Sequence, residues 1–213
     1  MASRPVFVAR EKLPYVMVYS PEFTWNSGLS KSQQQKNIVA LHGAHEKRFP
    51  DQKVLEISSK STEPLGNALS AFHLQKYVPA IGRSVPLECV YQGGKVFAAG
   101  GPYTDLYEAA PKDAKRDPRF EKSGMLRSFF FDGEEYPLTP KTAFYDWLYI
   151  LALKENPELG EALMAYDGFT DIVYNPNKSV GCQARSAALY VGLSRAGLLN
   201  GVPTFTDIAK LKY

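Results

Sequence analysis

The stretch Leu69–Phe97, LSAFHLQKYVPAIGRSVPLECVYQGGKVF, sets the tightest limits on how the chain can fold. Its second half reads as a helix opening at Pro86, because proline has no N–H to lose at a first helical position. Leu87, Val90 and Tyr91 recur at the spacing of a buried face. Glu88, Gln92 and Lys95 lie at i, i+4 and i+7, and at about 100° per residue they share a stripe roughly 60° wide. Glu88 and Lys95 stand two turns apart, so ordinary i,i+4 surface pairing does not account for the row. Gly93 and Gly94 fall inside the same segment, each costing about 1 kcal/mol relative to alanine. Such glycines admit the close approach of another backbone or of a ligand. The helix is thus expected to bury one side and to show an acid, an amide and an amine on another. A strand over Phe72–Tyr77 and a turn at Gly82 lead into it.

Around this segment the chain divides into short elements. Val6–Ala9 and Tyr15–Tyr19 read as strands from their β-branched and aromatic content, and Val54–Ser58 as a third that runs into the polar stretch Ser58–Thr62. Ser30 and Gln33 have the spacing of a capping box, which predicts a helix from Ser30 to about Arg48. Tyr103–Glu108 is a short helix. In Lys112–Arg119 cations alternate with Asp113 and Asp117, the pattern of an exposed, self-neutralising face. Leu126–Phe131 and Tyr136–Leu138 flank Asp132–Gly133, a hairpin turn pair.

Thr139 and Pro140 supply an N-cap and a first helical residue, and Phe144, Trp147, Leu148 and Leu151 follow at core spacing. A further helix begins at Asn156–Pro157 and ends near Asp167–Gly168. Phe169–Tyr174 is a strand, Asn175–Asn177 a turn, and Val180–Ala196 a last helix closed by Gly197. The class is α+β: one compact, helix-rich domain over residues 1–213, with a core at about 5–198 and a few short strands.

Composition narrows the function. The chain has 213 residues and a net charge of +3, a weak bias that falls short of an independent nucleic-acid signal. Two cysteines, Cys89 and Cys182, make no disulfide framework and fit a reducing compartment. Three histidines are too few and too scattered for a metal site, and His42 and His45 are expected on a helix surface. The N-terminus lacks the apolar core of a signal peptide, and no run approaches the roughly 18 apolar residues of a membrane span. A cytoplasmic protein with no membrane partner, no metal and no cofactor is the expectation.

The segment resembles the signature of the NADAR family, small proteins of N-glycosidase type. Its pattern is carried here by Leu69, Ser70, Ala71 and Phe72, then by Glu88, Gln92, Lys95 and Phe97. The wording LEISSKS, GGPYTDLY, PKTAFYDWLY and NPNKSVGCQARSAALYV is similar to the branch paired with DarT-type toxins, and the likeness runs from about Pro5 to Leu198. It implies an antitoxin that removes ADP-ribose from the amino group of guanine in DNA, with ADP-ribosylated DNA and ADP-ribose as ligands and a DarT-type toxin as functional partner. An alternative within the class is an N-glycosidase of riboflavin-pathway intermediates. Another is a non-catalytic module that binds ADP-ribose or the toxin itself.

Breaking a C–N bond at an anomeric carbon needs a carboxylate near that carbon and a proton for the departing nitrogen, the latter typically worth 10²–10⁴-fold. Glu88 takes the carboxylate role. Lys95 has three roles open to it: proton donor, imine-forming nucleophile or anchor for a diphosphate. Gln92 would orient the ribose or a water. The chain departs from the family's aspartate–tryptophan–glycine motif after the penultimate strand, and Asp171 stands in as second acid, with Asp146 as its alternative. Ser59 and Lys60 are candidates for a phosphate, Ser70 and Phe72 for substrate contact by family position, and Asp146 and Trp147 for the pocket wall. Trp25, Tyr91 and Trp147 are candidate platforms for a base.

Overall fold

A computed structural model of the protein describes residues 1–175 and 179–211. Its strands are β1 (Ala2–Ser3), β2 (Val6–Ala9), β3 (Val16–Tyr19), β4 (Glu22–Phe23), β5 (Val54–Glu56), β6 (Gln75–Val78), β7 (Arg83–Pro86), β8 (Lys95–Phe97), β9 (Leu126–Phe131), β10 (Glu134–Pro137) and β11 (Gly168–Thr170). The helices are α1 (Lys31–Glu46), α2 (Pro64–Ala68), α3 (Leu87–Gly93), α4 (Pro111–Lys115), α5 (Arg119–Lys122), α6 (Ala143–Glu155), α7 (Pro157–Leu163), α8 (Gln183–Arg195) and α9 (Phe205–Ala209). This is an α+β fold in which small sheets are wrapped on helices.

Helix α6 is the centre. Every residue from Ala143 to Leu153 is buried, so it is apolar on all sides rather than along one stripe, the mark of a helix with neighbours all round. Helices α8, α9 and α3 and strand β6 pack on it. Phe129 and Phe144 stack at 4.4 Å between ring centroids and tie it to the β8–β9–β10 sheet. The second sheet has the order β3-β2-β11-β5, with β11 antiparallel to β2 and parallel to β5. That parallel pairing places Glu56 opposite Thr170.

Several local expectations hold. Ser30 caps α1 by accepting a hydrogen bond from the Gln33 backbone N–H, as the S-x-x-Q spacing requires. Asp132 and Gly133 both take positive φ, +51° and +83°, the type I′ geometry that joins β9 to β10. Gly197, at φ +71°, follows the end of α8.

Other boundaries differ, each for a visible reason. Pro86 is the last residue of β7 and caps α3 from outside rather than opening it. Helix α3 stops at Gly93, and Lys95 starts β8. The Gly94 carbonyl accepts the Phe130 N–H at 2.6 Å, and a Cβ on Gly94 would stand 2.5 Å from the Phe130 carbonyl oxygen. The close approach that the paired glycines signalled is made by the Tyr107 ring at Gly93 and by the β9 backbone at Gly94, and the latter diverts the chain from helix to sheet.

Strand β6 begins at Gln75 because residues 71–74 form a tight turn instead. Strand β5 ends at Glu56, and residues 57–60 continue as a turn-rich segment. Helix α6 starts at Ala143 rather than at Pro140, and α7 ends at Leu163 rather than near Asp167. Strand β11 ends at Thr170, and two of the N–H groups that follow are taken by carboxylates: Ile172 N–H by Glu56 at 2.9 Å and Val173 N–H by Asp171 at 3.1 Å. Helix α8 opens at Gln183, three residues after Val180. Most of the turn expected at Asn175–Asn177 lies outside the described residues.

His42 and His45 are turned inward, against expectation. His42 Nε2 meets Thr170 Oγ1 at 2.9 Å and His45 pairs with the Tyr19 hydroxyl. Burial pushes the His42 imidazole down to about 4, which leaves it neutral at physiological pH. No group of three metal-ligating side chains occurs among the described residues, and no helix among them is long and apolar enough to cross a membrane.

Candidate active site

A cleft of about 310 Å³ opens where α3, the 70–72 turn, the segment after β5, the segment after β11 and the start of α8 converge. Glu88 and Gln92 reach it from α3, one turn apart on the same face. Gln92 Nε2 donates to Glu88 Oε1 at 2.8 Å, and Lys115 Nζ, at the end of α4, lies 3.5 Å from the same oxygen. Gln92 Oε1 has no hydrogen-bond partner although it is buried. A buried acceptor left open beside a cleft is a place for a ligand's donor.

Lys95 enters from the first position of β8. Its ammonium lies 5.1 Å from the ring centroids of both Tyr91 and Phe120, and no carboxylate stands within ion-pairing distance of it among the described residues. Burial, with a smaller contribution from the Lys115 charge, pushes its pKa down to about 8, while Glu88 pulls the other way. The amine thus titrates close to neutrality.

Two further carboxylates are buried beside the cleft, Asp171 lining it and Glu56 outside its lining. Glu56, fully enclosed at the end of β5, accepts from Ser58 Oγ (2.7 Å), Thr170 Oγ1 (2.6 Å) and the Ile172 N–H (2.9 Å). Asp171, which lines the cleft, accepts from the Val173 N–H at 3.1 Å and from Gln183 Nε2 at 2.9 Å. Burial and then the charge of Glu56 raise the Asp171 carboxyl to about 7, against the two hydrogen bonds and the more distant Lys115. Burial also raises Glu56. Two carboxyls so placed cannot both ionise cheaply, and they share a proton up to near neutral pH.

The remaining wall is aromatic. Tyr91 and Tyr145 meet edge to face at 4.8 Å. The Tyr145 ring lies so close to Gly181 that a Cβ there would come within 2.4 Å of it, so the approach to α8 requires glycine. Phe72 forms part of the rim, with the Lys115 ammonium 5.4 Å above its ring.

An acid and an amide from one helix, an amine from the next strand and a second carboxyl thus meet in one cleft. The model of one family, the DarT1-associated NADAR antitoxins, matches residues 2–211. The chain belongs to that family. No curated protein matches it significantly.

The NADAR antitoxin brings eight of the twelve residues singled out from sequence to this one cleft: Glu88, Gln92, Lys95, Asp171, Ser59, Ser70, Phe72 and Tyr91. Four lie elsewhere. Lys60 is outside the lining, although its N–H bonds the neighbouring Ser58 Oγ at 3.1 Å. Asp146 is turned into the core, where it pairs with Arg185 and accepts from Ser186 Oγ at 2.6 Å. Trp147 packs against Phe131, Tyr136 and Phe205, and its indole N–H donates to the Pro203 carbonyl at 3.0 Å. Trp25 packs against Phe23 below the Arg4 guanidinium, also away from the cleft.

Sequence reasoning did not single out Glu56 or Gln183. Both sit in segments whose wording carried the family likeness, LEISSKS and VGCQARSAAL, yet nothing in spacing or charge set them apart.

Proposed function

We propose that this NADAR antitoxin is an N-glycosidase that hydrolyses the bond between ADP-ribose and the guanine amino group in DNA, reversing the modification made by its DarT-type toxin. The observation that carries this reading is the pair of carboxyl groups lining the cleft, placed in unlike surroundings. Glu88 faces the Lys115 ammonium and the Gln92 amide donor, while Asp171, beside Glu56, keeps a proton up to about neutral pH. A carboxyl held protonated by its surroundings is equipped to serve as an acid.

In this scheme Asp171 gives its proton to the departing amino nitrogen as the C–N bond breaks. Glu88 faces the positive charge that develops at the anomeric carbon, then takes a proton from the water that adds there. The products are ADP-ribose and restored guanine, and the two carboxyls exchange their protons with solvent. Gln92 Oε1 accepts from a ribose hydroxyl. Phe72 offers a face for an unstacked base, as an enzyme acting on a nucleobase requires. Lys95 serves either as an ammonium beside the leaving group or the diphosphate, or as a free amine that attacks the ring-opened anomeric carbon, expels the guanine amine as an imine forms and is freed when water hydrolyses that imine.

Turnover decides the matter. The protein is expected to release ADP-ribose from an ADP-ribosylated guanine oligonucleotide, and Glu88→Gln to lower kcat by roughly 10²–10⁴-fold. Release from aminated riboflavin precursors instead would assign the other N-glycosidase activity. Binding without release by the parent would make the protein a reader.

A further inference from the structure

Gln183 is the first residue of α8, and all of its amide is spoken for. Oε1 accepts the Ala71 N–H at 2.8 Å, while Nε2 donates to the Ile57 carbonyl at 2.7 Å and to Asp171 Oδ2 at 2.9 Å. The orientation of the amide is forced, because a backbone N–H faces one end and a backbone carbonyl the other. Both hydrogens of the NH₂ group are used, so Gln183 has no proton left to offer a ligand although it borders the cleft.

The Ala71 carbonyl in turn accepts the Glu88 N–H at 2.8 Å. Hydrogen bonds therefore tie the Asp171 carboxyl through the Gln183 amide to the Ala71 N–H, and the carbonyl of the same residue ties it to the first turn of α3. The four segments so joined are far apart in sequence, and they carry the two carboxyls of the proposed reaction.

We infer that Gln183 is a positioning residue, whose single amide sets the placement of Asp171 against Glu88. The inference rests on the proposed hydrolase reading and adds to it the part that fixes the distance between acid and base. A misplacement of about 1 Å between reacting groups is enough to cost on the order of 10²-fold. A residue serving only to start α8 would influence stability and leave the chemical step alone.

The test uses the full chain and an ADP-ribosylated guanine oligonucleotide. Gln183→Met keeps the length and removes all three hydrogen bonds. Gln183→Glu keeps the acceptor for Ala71 and removes both donors. Each is expected to lower kcat by roughly 10–100-fold with KM within about threefold of the parent. In an Asp171→Asn background the further loss from Gln183→Met is expected to shrink to less than about threefold, since the group it positions is already gone.

Should Gln183→Met melt below the assay temperature, Gln183→Glu supplies the same comparison in both backgrounds. A raised KM at unchanged kcat would overturn the inference by showing contact with substrate. Equal losses in both backgrounds would reduce Gln183 to a structural residue. A parent that turns over while both variants match it sinks the Gln183 assignment alone, whereas a parent without turnover sinks the hydrolase reading with it.

Discussion

The sharpest consequence of the site is the pH dependence of kcat/KM. An exposed aspartate would be protonated in only about one molecule in a thousand at pH 7, whereas a carboxyl raised from 3.8 to about 7 is protonated in roughly half. Burial and Glu56 together thus raise the population of acid by on the order of 10³-fold. If Asp171 donates the proton, kcat/KM is expected to level off below about pH 6 for as long as Glu88 stays ionised, and to fall tenfold per unit above about 7.

Lys95, at about 8, then shapes the upper limb. An essential ammonium steepens the fall to about a hundredfold per unit beyond it, whereas an essential free amine gives a bell centred between the two values. The groups that act on Asp171 are Glu56 from β5, Lys115 from α4, Gln183 from α8 and the Val173 N–H. Of these Glu56 is the main one that raises it, so Glu56→Gln should move the Asp171 limb down by about one unit or more. At pH 7.5 that is a loss of roughly tenfold, recovered at pH 5.5. The assay is initial-rate release of ADP-ribose across pH 5–10. A rate that rises through pH 7 and then stays level would make Asp171 a base, and a limb unmoved by Glu56→Gln would refute the shared proton.

Lys95→Met should abolish turnover yet raise thermal stability at pH 7. A lysine with a depressed folded-state pKa contributes stability above its unfolded value of 10.5 and loses it as pH falls through about 8, by up to about 3 kcal/mol, so melts at pH 7 and pH 10 should differ in the variant's favour only at the lower pH. Gly94→Ala places a methyl 2.5 Å from the Phe130 carbonyl oxygen, which is backbone and cannot yield, and should cost about 1–3 kcal/mol in a denaturant melt. Gly43→Ala, in the last turn of α1 with open space around it, should instead gain about 0.5 kcal/mol. ADP-ribose brings a diphosphate to a site whose Asp171 and Lys95 both bind protons more tightly beside an anion. Calorimetry in buffers of different ionisation enthalpy should therefore show proton uptake on binding and tighter binding at pH 6.5 than at 8.5, and proton release would contradict the placement of the anion near these groups.

Much of the architecture was readable because it rests on local chemistry. The Asp132–Gly133 pair needs positive φ whatever surrounds it, and Ser30 three residues before Gln33 caps a helix by its own geometry. Apolar spacing after Phe144 marked α6 as core, although periodicity alone did not show that the helix is enclosed on every side. That enclosure is why Asp146 and Trp147 missed the cleft: a helix buried all round turns its polar groups to internal partners, here Arg185, Ser186 and the Pro203 carbonyl.

What the sequence concealed depends on pairing across long separations. Helical period carried the reading through Gly93 and Gly94 to Lys95, and only the β9 strand, some 35 residues later, bends the chain out of that helix. Lys95 still reaches the cleft, because a strand leaving the end of α3 keeps its first side chain beside the last turn. Glu56 in VLEIS has the look of the polar side of an exposed strand. Its burial follows from the parallel neighbour β11, which supplies Thr170 Oγ1 and the Ile172 N–H as partners, while the raised Asp171 carboxyl follows from Glu56. The acid of the proposed reaction is thus a property of two strands together. Neither strand carries it alone, and an exchange confined to residues 54–58 should change the protonation of Asp171 without touching the segment that bears it.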